Sequence, residues 1–234
     1  MSERQRELAE RTAEVKEALA EAAREAGRAP EDVTLVAVSK LHPASDIRDL
    51  AETGQTEFGE NYVQEALSKQ EELAGLPIHW HFIGGLQSNK AKYMAGRFAL
   101  VHSVDSAKLA QALHKKAVSL NVVQDILIQV NIAGEVQKSG ITVENLPKLA
   151  ESVLGMEGVR LVGLMTMPPF FDDPERARPV FARLRKLKGE LEQRLGMKLP
   201  HMSMGMTGDF VPAVQEGATL VRIGTRIFGE RTRG

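Results

Sequence analysis

Eight apolar runs separated by amphipathic segments constrain this chain more than any single residue does. They read as strands at VTLVAVS (33–39), TEFGE (56–60), IHWHFIG (78–84), ALVHSV (99–104), DILIQVN (125–131), VRLVGLMTM (159–167), HMSMG (201–205) and TLVRIGT (219–225). The intervening stretches ASDIRDLAETG, VQEALSKQEEL, SAKLAQALHKKA, VENLPKLAESVLG and ERARPVFARLRKLKGELEQRLG space their apolar residues as helices do, the last stopping at Gly196. Eight strands alternating with helices predict an α/β fold, a single (β/α)8 TIM-type barrel. A doubly wound open sheet competes, but it usually shows a Gly-rich first turn, and neither G-x-G-x-x-G nor a Walker loop is present. MSERQRELAERTAEVKEALAEAAREAG adds an extra N-terminal helix within residues 1–28, expected to pack on the barrel. No Pro/Gly/Ser-rich linker interrupts the chain, so residues 1–234 are expected to form one domain.

Composition removes several functions. With 43% hydrophobic residues in 234, the chain can fill a core without staples. Thirty basic residues against 31 acidic leave a net charge of -1, with no electrostatic footprint for nucleic acid. Cysteine is absent, which excludes disulfides, thiolate metal sites and thiol nucleophiles. The charged N-terminus lacks the apolar core of a signal peptide, and no run approaches the roughly 18 apolar residues of a membrane span. A cytoplasmic protein without membrane contact is expected.

Barrels of this kind place their sites at the C-terminal ends of the strands. Those ends supply Lys40, Asn61, Gly84, Asn131, Met165, Ser203, Gly205, Gly224 and Thr225, with Arg222 slightly deeper in the last strand. The loops after strands seven and eight, where barrels often hold phosphate, read SMGMTGDF and RIGTRIFGE. Ser203 and Thr225 offer hydroxyls, and Gly205 and Gly224 let the backbone approach an anion. Two ordinary glycine-containing turns remain the alternative.

Lys40 ends an otherwise apolar strand. A lysine facing a barrel mouth is partly desolvated, which frees the neutral amine to attack a carbonyl and form a Schiff base. A surface lysine at a strand end is the plainer reading. Lysine and phosphate site together narrow the ligand to a phosphorylated aldehyde or ketone, and both pyridoxal 5'-phosphate and a ketose-type sugar phosphate qualify. Arg222 favours the first, because arginine is a recurrent partner of the pyridine nitrogen. An ion pair of Arg222 with Glu216 or Glu230 is the alternative.

With these residues in hand, the chain resembles the pyridoxal-phosphate homeostasis proteins, whose barrel is that of the alanine racemase N-terminal domain. VAVSK, FGENYVQEA, WHFIGGLQSNK, VNIAGEVQKSG, GLMTM, SMGMTGDF and VRIGTRIFGER carry the resemblance, in order, from about residue 33 onward. It implies that Lys40 carries the Schiff base and that Ser203, Gly205, Gly224 and Thr225 hold the phosphate. Arg222 would face the ring nitrogen, with Asn61 and Met165 lining the pocket. Thr207 stands where the family usually has serine, another hydroxyl.

The resemblance implies a carrier and regulator of pyridoxal phosphate without settled turnover. Racemases with this barrel take a second base, a tyrosine, from an all-β domain. No such domain is expected after Gly234, and neither Tyr62 nor Tyr93 belongs to a motif that would supply the base. The expected partners are the cofactor, free amino acids and, transiently, pyridoxal-phosphate-dependent apoenzymes, with the chain acting as a monomer. A racemase-like enzyme is the alternative function, and a Schiff-base aldolase a more distant one.

Other features carry less. His79 and His81 share a strand face without a matching third ligand and read as core or rim histidines. Asp172-Asp173 read as a solvated helix start, Lys138 as a loop lysine, and the methionines other than Met165 as packing.

Overall fold

The computed structural model describes residues 1–135 and 139–230. Parallel strands buried on both faces read as nearly unbroken apolar runs, and each of the eight runs forms one. In chain order they are β1 (Thr34–Val38), β2 (Glu57–Glu60), β3 (His79–Phe82), β4 (Leu100–Val104), β5 (Gln124–Asn131), β7 (Val159–Met165), β8 (His201–Ser203) and β9 (Leu220–Ile223). A two-residue strand, β6 (Ile141–Thr142), adds beside β5. Each barrel strand pairs in parallel with the next, β4 joins β5, and β9 returns to β1 with Arg222 opposite Val36. The expected closed eight-stranded barrel is therefore the fold.

Alternation along the strands separates two packed regions. On β1, Leu35 and Ala37 join the shell between strands and helices, whereas Val36 packs with Leu100, Leu127, Val162, Met165 and Leu220 in the barrel interior. That interior cluster is the filled centre expected of a small barrel.

The outer layer comprises α1 (Glu3–Glu25), α2 (Ala44–Ala51), α3 (Val63–Glu72), α4 (Ala107–Ser119), α5 (Leu146–Leu154), α6 (Arg178–Leu195), α7 (Phe210–Gln215) and α8 (Thr225–Phe228). Gly196 ends α6 in the left-handed conformation, φ 68°, which glycine adopts without Cβ strain. Between β3 and β4 the connection forms only a 3-10 turn, Ser88–Tyr93.

The N-terminal helix forms as expected. Ser2 caps it by accepting from the Gln5 N–H, and its buried stripe runs Leu8, Thr12, Val15, Leu19, Ala22. Full burial of Leu8 and Val15 contributes about 1.5–3 kcal/mol each. Arg4 Nη2 donates to Asp46 Oδ2 at 2.6 Å and to the Phe228 carbonyl at 2.9 Å, tying α1 to α2 and to the end of α8. Thus α1 braces the segment that follows the last strand, and the start of that segment lines the cleft.

Candidate functional site

A cleft of about 390 Å³ opens at the C-terminal ends of the strands. Val38, Lys40, Asn61 and Ile83 line one side, and Arg222, Gly224 and Thr225 another. Met206 to Asp209, from the loop after β8, close a third side. An apolar wall of Met167, Pro168, Pro169, Phe170 and Phe171 completes it, with Phe170 88% exposed at the rim.

Lys40 follows β1 and is half-buried on the cleft wall. The backbone on both sides of it is anchored. The Ser39 carbonyl accepts from Lys69 Nζ at 2.8 Å, and the Leu41 N–H donates to Glu65 Oε1 at 2.6 Å. Lys69 also reaches Glu60 Oε1 at 2.7 Å, and the Ser39 hydroxyl donates to the same oxygen. Burial pushes the Glu60 carboxyl above its ordinary range, against the pull of Lys69 and Ser39. Leu41 takes a left-handed φ of 64°, the sharp reversal that carries the chain from β1 toward α2.

Asn61 follows β2, and Gly84 makes its position possible. A Cβ on Gly84 would lie 2.2 Å from the Asn61 carbonyl oxygen, so only glycine lets the two strand ends approach. Asn61 Oδ1 is buried in the cleft wall with no hydrogen-bond partner, which suits it to a ligand donor.

Arg222 sits on β9, almost fully buried. Its guanidinium donates to the Ser203 hydroxyl and, at 3.1 Å, to the Thr166 carbonyl. Both are neutral acceptors. Burial lowers its pKa to about 10, with the Asp209 charge acting in the opposite sense, so it remains a cation at neutral pH. No ion pair joins it to Glu216 or Glu230 among the described residues; Glu216 pairs with Arg178 and Arg185 instead. Among the described residues no ion pair holds the cation, and Asp209 on the same cleft acts on it through its charge alone.

The two expected phosphate loops meet on the cleft, the second beside the end of β1, where a Cβ on Gly224 would lie 3.0 Å from the Val38 carbonyl oxygen. Gly205 adopts φ 92°, and a Cβ there would lie 2.6 Å from the Ala213 side chain. This reversal turns Met206 to Asp209 back over the cleft, where the Met206 N–H is fixed by Asp209 Oδ1 at 2.7 Å. The N–H groups of Thr207, Gly208, Gly224 and Thr225 have no acceptor among the described residues. Four such donors and a cation lining one cleft suit an anion.

The profile of the family described as alanine racemase, N-terminal domain, matches residues 13–232. The chain belongs to that family. Within it, a relative from Aquifex aeolicus named pyridoxal phosphate homeostasis protein is 47% identical over 222 residues, covering 95% of this chain and 97% of the relative. A protein of the same name from Pseudomonas aeruginosa is 47% identical over 227 residues, 97% of each chain. The structure of PipY from Synechococcus elongatus with PLP bound superposes with a TM-score of 0.84 at 38% identity, covering 95% of this chain and 100% of that one.

Against the expectations for a member of this family, the structure gathers Lys40, Asn61, Arg222, Gly224 and Thr225 on one cleft. It places three others behind the wall. Met165 is fully buried in the barrel interior, and Met167, beyond the end of β7, lines the cleft in its place. Ser203 is likewise buried, its hydroxyl engaged by Arg222 and His102. Gly205 shapes the loop from behind. Thr207, noted in the sequence only as a hydroxyl in a motif, lines the cleft with Met206, Gly208 and Asp209 of this loop.

His79 and His81 are a rim and a core histidine, both bonded to Glu57. Asp173 caps the 3-10 turn Pro174–Ala177. Lys138 lies outside the described residues. No group of three or more metal-ligating side chains occurs among the described residues, and none of their helices is long and apolar enough to cross a membrane.

Proposed function

We propose that this chain binds pyridoxal 5'-phosphate in the cleft at the strand ends and takes part in its homeostasis as a carrier and regulator. The observation that carries the reading is the placement of Lys40 and Arg222 on one cleft, with the donors of two loops beside them. The residues fit the group. Asn61 Oδ1 is a buried acceptor lacking a donor, the four N–H groups lack an acceptor, and the cleft volume suits a small ligand. The names of the curated relatives and the ligand of PipY support the same reading.

When bound, the cofactor supplies an aldehyde that condenses reversibly with amines. Lys40 Nζ is the amine the chain offers to it, and free amino acids are the partners that compete for it. Thr207, Gly208, Gly224 and Thr225 hold the phosphate through backbone N–H groups. Arg222, a cation at neutral pH, keeps its proton while donating to the ring nitrogen. A ring nitrogen that receives no proton favours holding the cofactor over carbanion chemistry on it. The apolar wall from Met167 to Phe171 excludes water from one face. At the mouth, Leu41, Tyr62 and Phe170 are exposed apolar side chains that suit transient contact with a receiving apoenzyme. On this reading the chain works as a monomer without sustained turnover.

The test is absorbance followed by borohydride reduction. Purified protein mixed with the cofactor absorbs in the visible, reduction fixes the label on the peptide containing Lys40, and added amino acids change the spectrum. A label on another lysine overturns the site. Sustained racemisation of an amino acid, abolished by Lys40→Ala, overturns the non-catalytic role.

A further inference from the structure

A line of hydrogen bonds crosses the barrel interior from β2 to Arg222. Glu57 Oε2 meets His81 Nε2 at 2.7 Å, His81 Nδ1 meets His102 Nε2 at 2.9 Å, and His102 Nδ1 meets the Ser203 hydroxyl at 2.8 Å. The same hydroxyl accepts from Arg222 Nη1. His81 is almost fully buried and His102 and Ser203 completely so, with the two imidazoles edge to face at 68°.

The direction of each bond follows from the chemistry of its ends. Burial opposes ionisation of Glu57, but the bonds from His81 and His79 outweigh it and hold the carboxyl at about 2. Glu57 is therefore an acceptor, and His81 Nε2 carries a hydrogen. Burial, with the neighbouring Arg222 cation, keeps the His102 pKa well below its ordinary value, so this ring is neutral. Arg222 can only donate, which makes Ser203 Oγ an acceptor toward it. The hydroxyl hydrogen then has one partner, His102 Nδ1, and the hydrogen of His102 lies on Nε2, pointing to His81 Nδ1. With Glu57 an acceptor, Arg222 a donor and the His102 ring neutral, one arrangement gives the Ser203 hydroxyl hydrogen a partner: Arg222 to Ser203 to His102 to His81 to Glu57.

We propose that His102 is a positioning residue for Arg222, its tautomer fixed by His81 and Glu57 so that Ser203 turns a lone pair toward the guanidinium. Without His102 the Ser203 hydroxyl hydrogen has no acceptor across the barrel, and the arginine loses a fixed anchor on the side away from the cleft. Its grip on the ring nitrogen then weakens, while the phosphate donors and Lys40 are untouched. This rests on the cofactor assignment above, and Ser203 becomes a link behind the site, not a phosphate ligand.

The experiment has two arms. Nitrogen-15 NMR of the ligand-free protein reads the ring of His102 directly; the expected state is neutral with the hydrogen on Nε2, and a cation or the Nδ1 tautomer overturns the proposal. Binding is then compared for pyridoxal phosphate and for its analogue carrying C–H in place of the ring nitrogen. His102→Phe is expected to weaken pyridoxal phosphate about tenfold and leave the analogue unchanged, about one hydrogen bond's worth of selectivity. His102→Gln, whose amide can donate to His81 and accept from Ser203, is expected to restore the preference. Equal loss for both ligands, or no rescue by glutamine, assigns His102 to packing alone and sinks the idea. If His102→Phe fails to fold, the wild-type tautomer and His102→Gln still decide. If neither ligand binds the wild type, the cofactor assignment fails, and the NMR arm judges the relay by itself.

Discussion

Lys40 sits in the turn after β1 and Lys69 bonds the backbone beside it, yet the fold treats them differently. Lys69 reaches from α3 into the barrel rim, 6% exposed, with acceptors at Ser39 O, Glu60 Oε1 and Glu65 Oε1. An ammonium has three hydrogens, so these three bonds use its whole capacity. Lys40 is half-buried and stands on the wall of a cleft. The difference teaches how the chain separates roles: one lysine is spent on geometry so that the other is presented at a fixed place. Glu60 and Glu65 serve the first lysine, and the backbone they anchor carries the second.

Replacing each lysine in turn breaks or sharpens this contrast. Lys69→Met is expected to cost about 3–5 kcal/mol in denaturant unfolding, because it strands the buried Glu60 carboxylate. A loss below about 1 kcal/mol would show the cluster to be decorative. The deficit should also shrink with acid. Burial already raises the folded-state pKa of Glu60 above 4.5, and loss of Lys69 raises it further. The variant is then penalised most near neutral pH and least once the pH has fallen through the raised folded-state pKa, where the folded carboxyl is protonated in both proteins.

The next largest effect concerns the whole barrel. Glu57 has a folded-state pKa of about 2 against 4.5, so its stabilisation is present above pH 4.5 and lost as pH falls from there toward 2. His102, a base held neutral by burial, adds a loss that begins as pH drops below 6.5, where the unfolded chain takes up a proton and the folded one does not. Thermal unfolding followed against pH should decline in two stages, and Glu57→Gln should remove the lower one. A flat profile from 6.5 to 3 would contradict both assignments.

Lys40→Met should cost less stability than Lys69→Met, because Lys40 is half-buried whereas the Lys69 ammonium serves a buried carboxylate, and it should abolish reductive labelling. If it destabilises as much as Lys69→Met, the two lysines are not distinct in role. Smallest of all, Leu41→Gly should stabilise by about 0.5 kcal/mol, since relief of the left-handed backbone slightly exceeds the added freedom of the unfolded chain. Calorimetry would detect it, and a destabilisation would mean that the exposed Leu41 side chain contributes packing.

Much of this arrangement was legible in the sequence, for reasons visible in particular residues. VTLVAVS and DILIQVN announce themselves because a parallel strand is covered on both faces, and Lys40 and Arg222 stood out as cations inside such runs. Three features were not legible. Whether Ser203 or Thr207 faces the cleft depends on the reversal at Gly205, where the chain leaves the barrel and turns back. Met165 and Met167 alternate alike along a strand, but β7 ends between them, leaving one inside the barrel and the other above its rim. His102 gave no signal, because its partners are on β3 and β8 and its burial is known only once the barrel closes. Local pattern reveals elements, and juxtaposition across the barrel has to be seen.

The pairing of β1 with β9 bears on how this protein comes into being. Lys40 leaves the ribosome well before Arg222 and its two loops. On the proposed function, a chain made only to that point owns the amine and none of the groups that would retain the cofactor. On that reading, tight binding would arise only when β9 docks against β1. The ligand would then bridge the seam at which the ring closes and would favour the closed barrel over shorter intermediates.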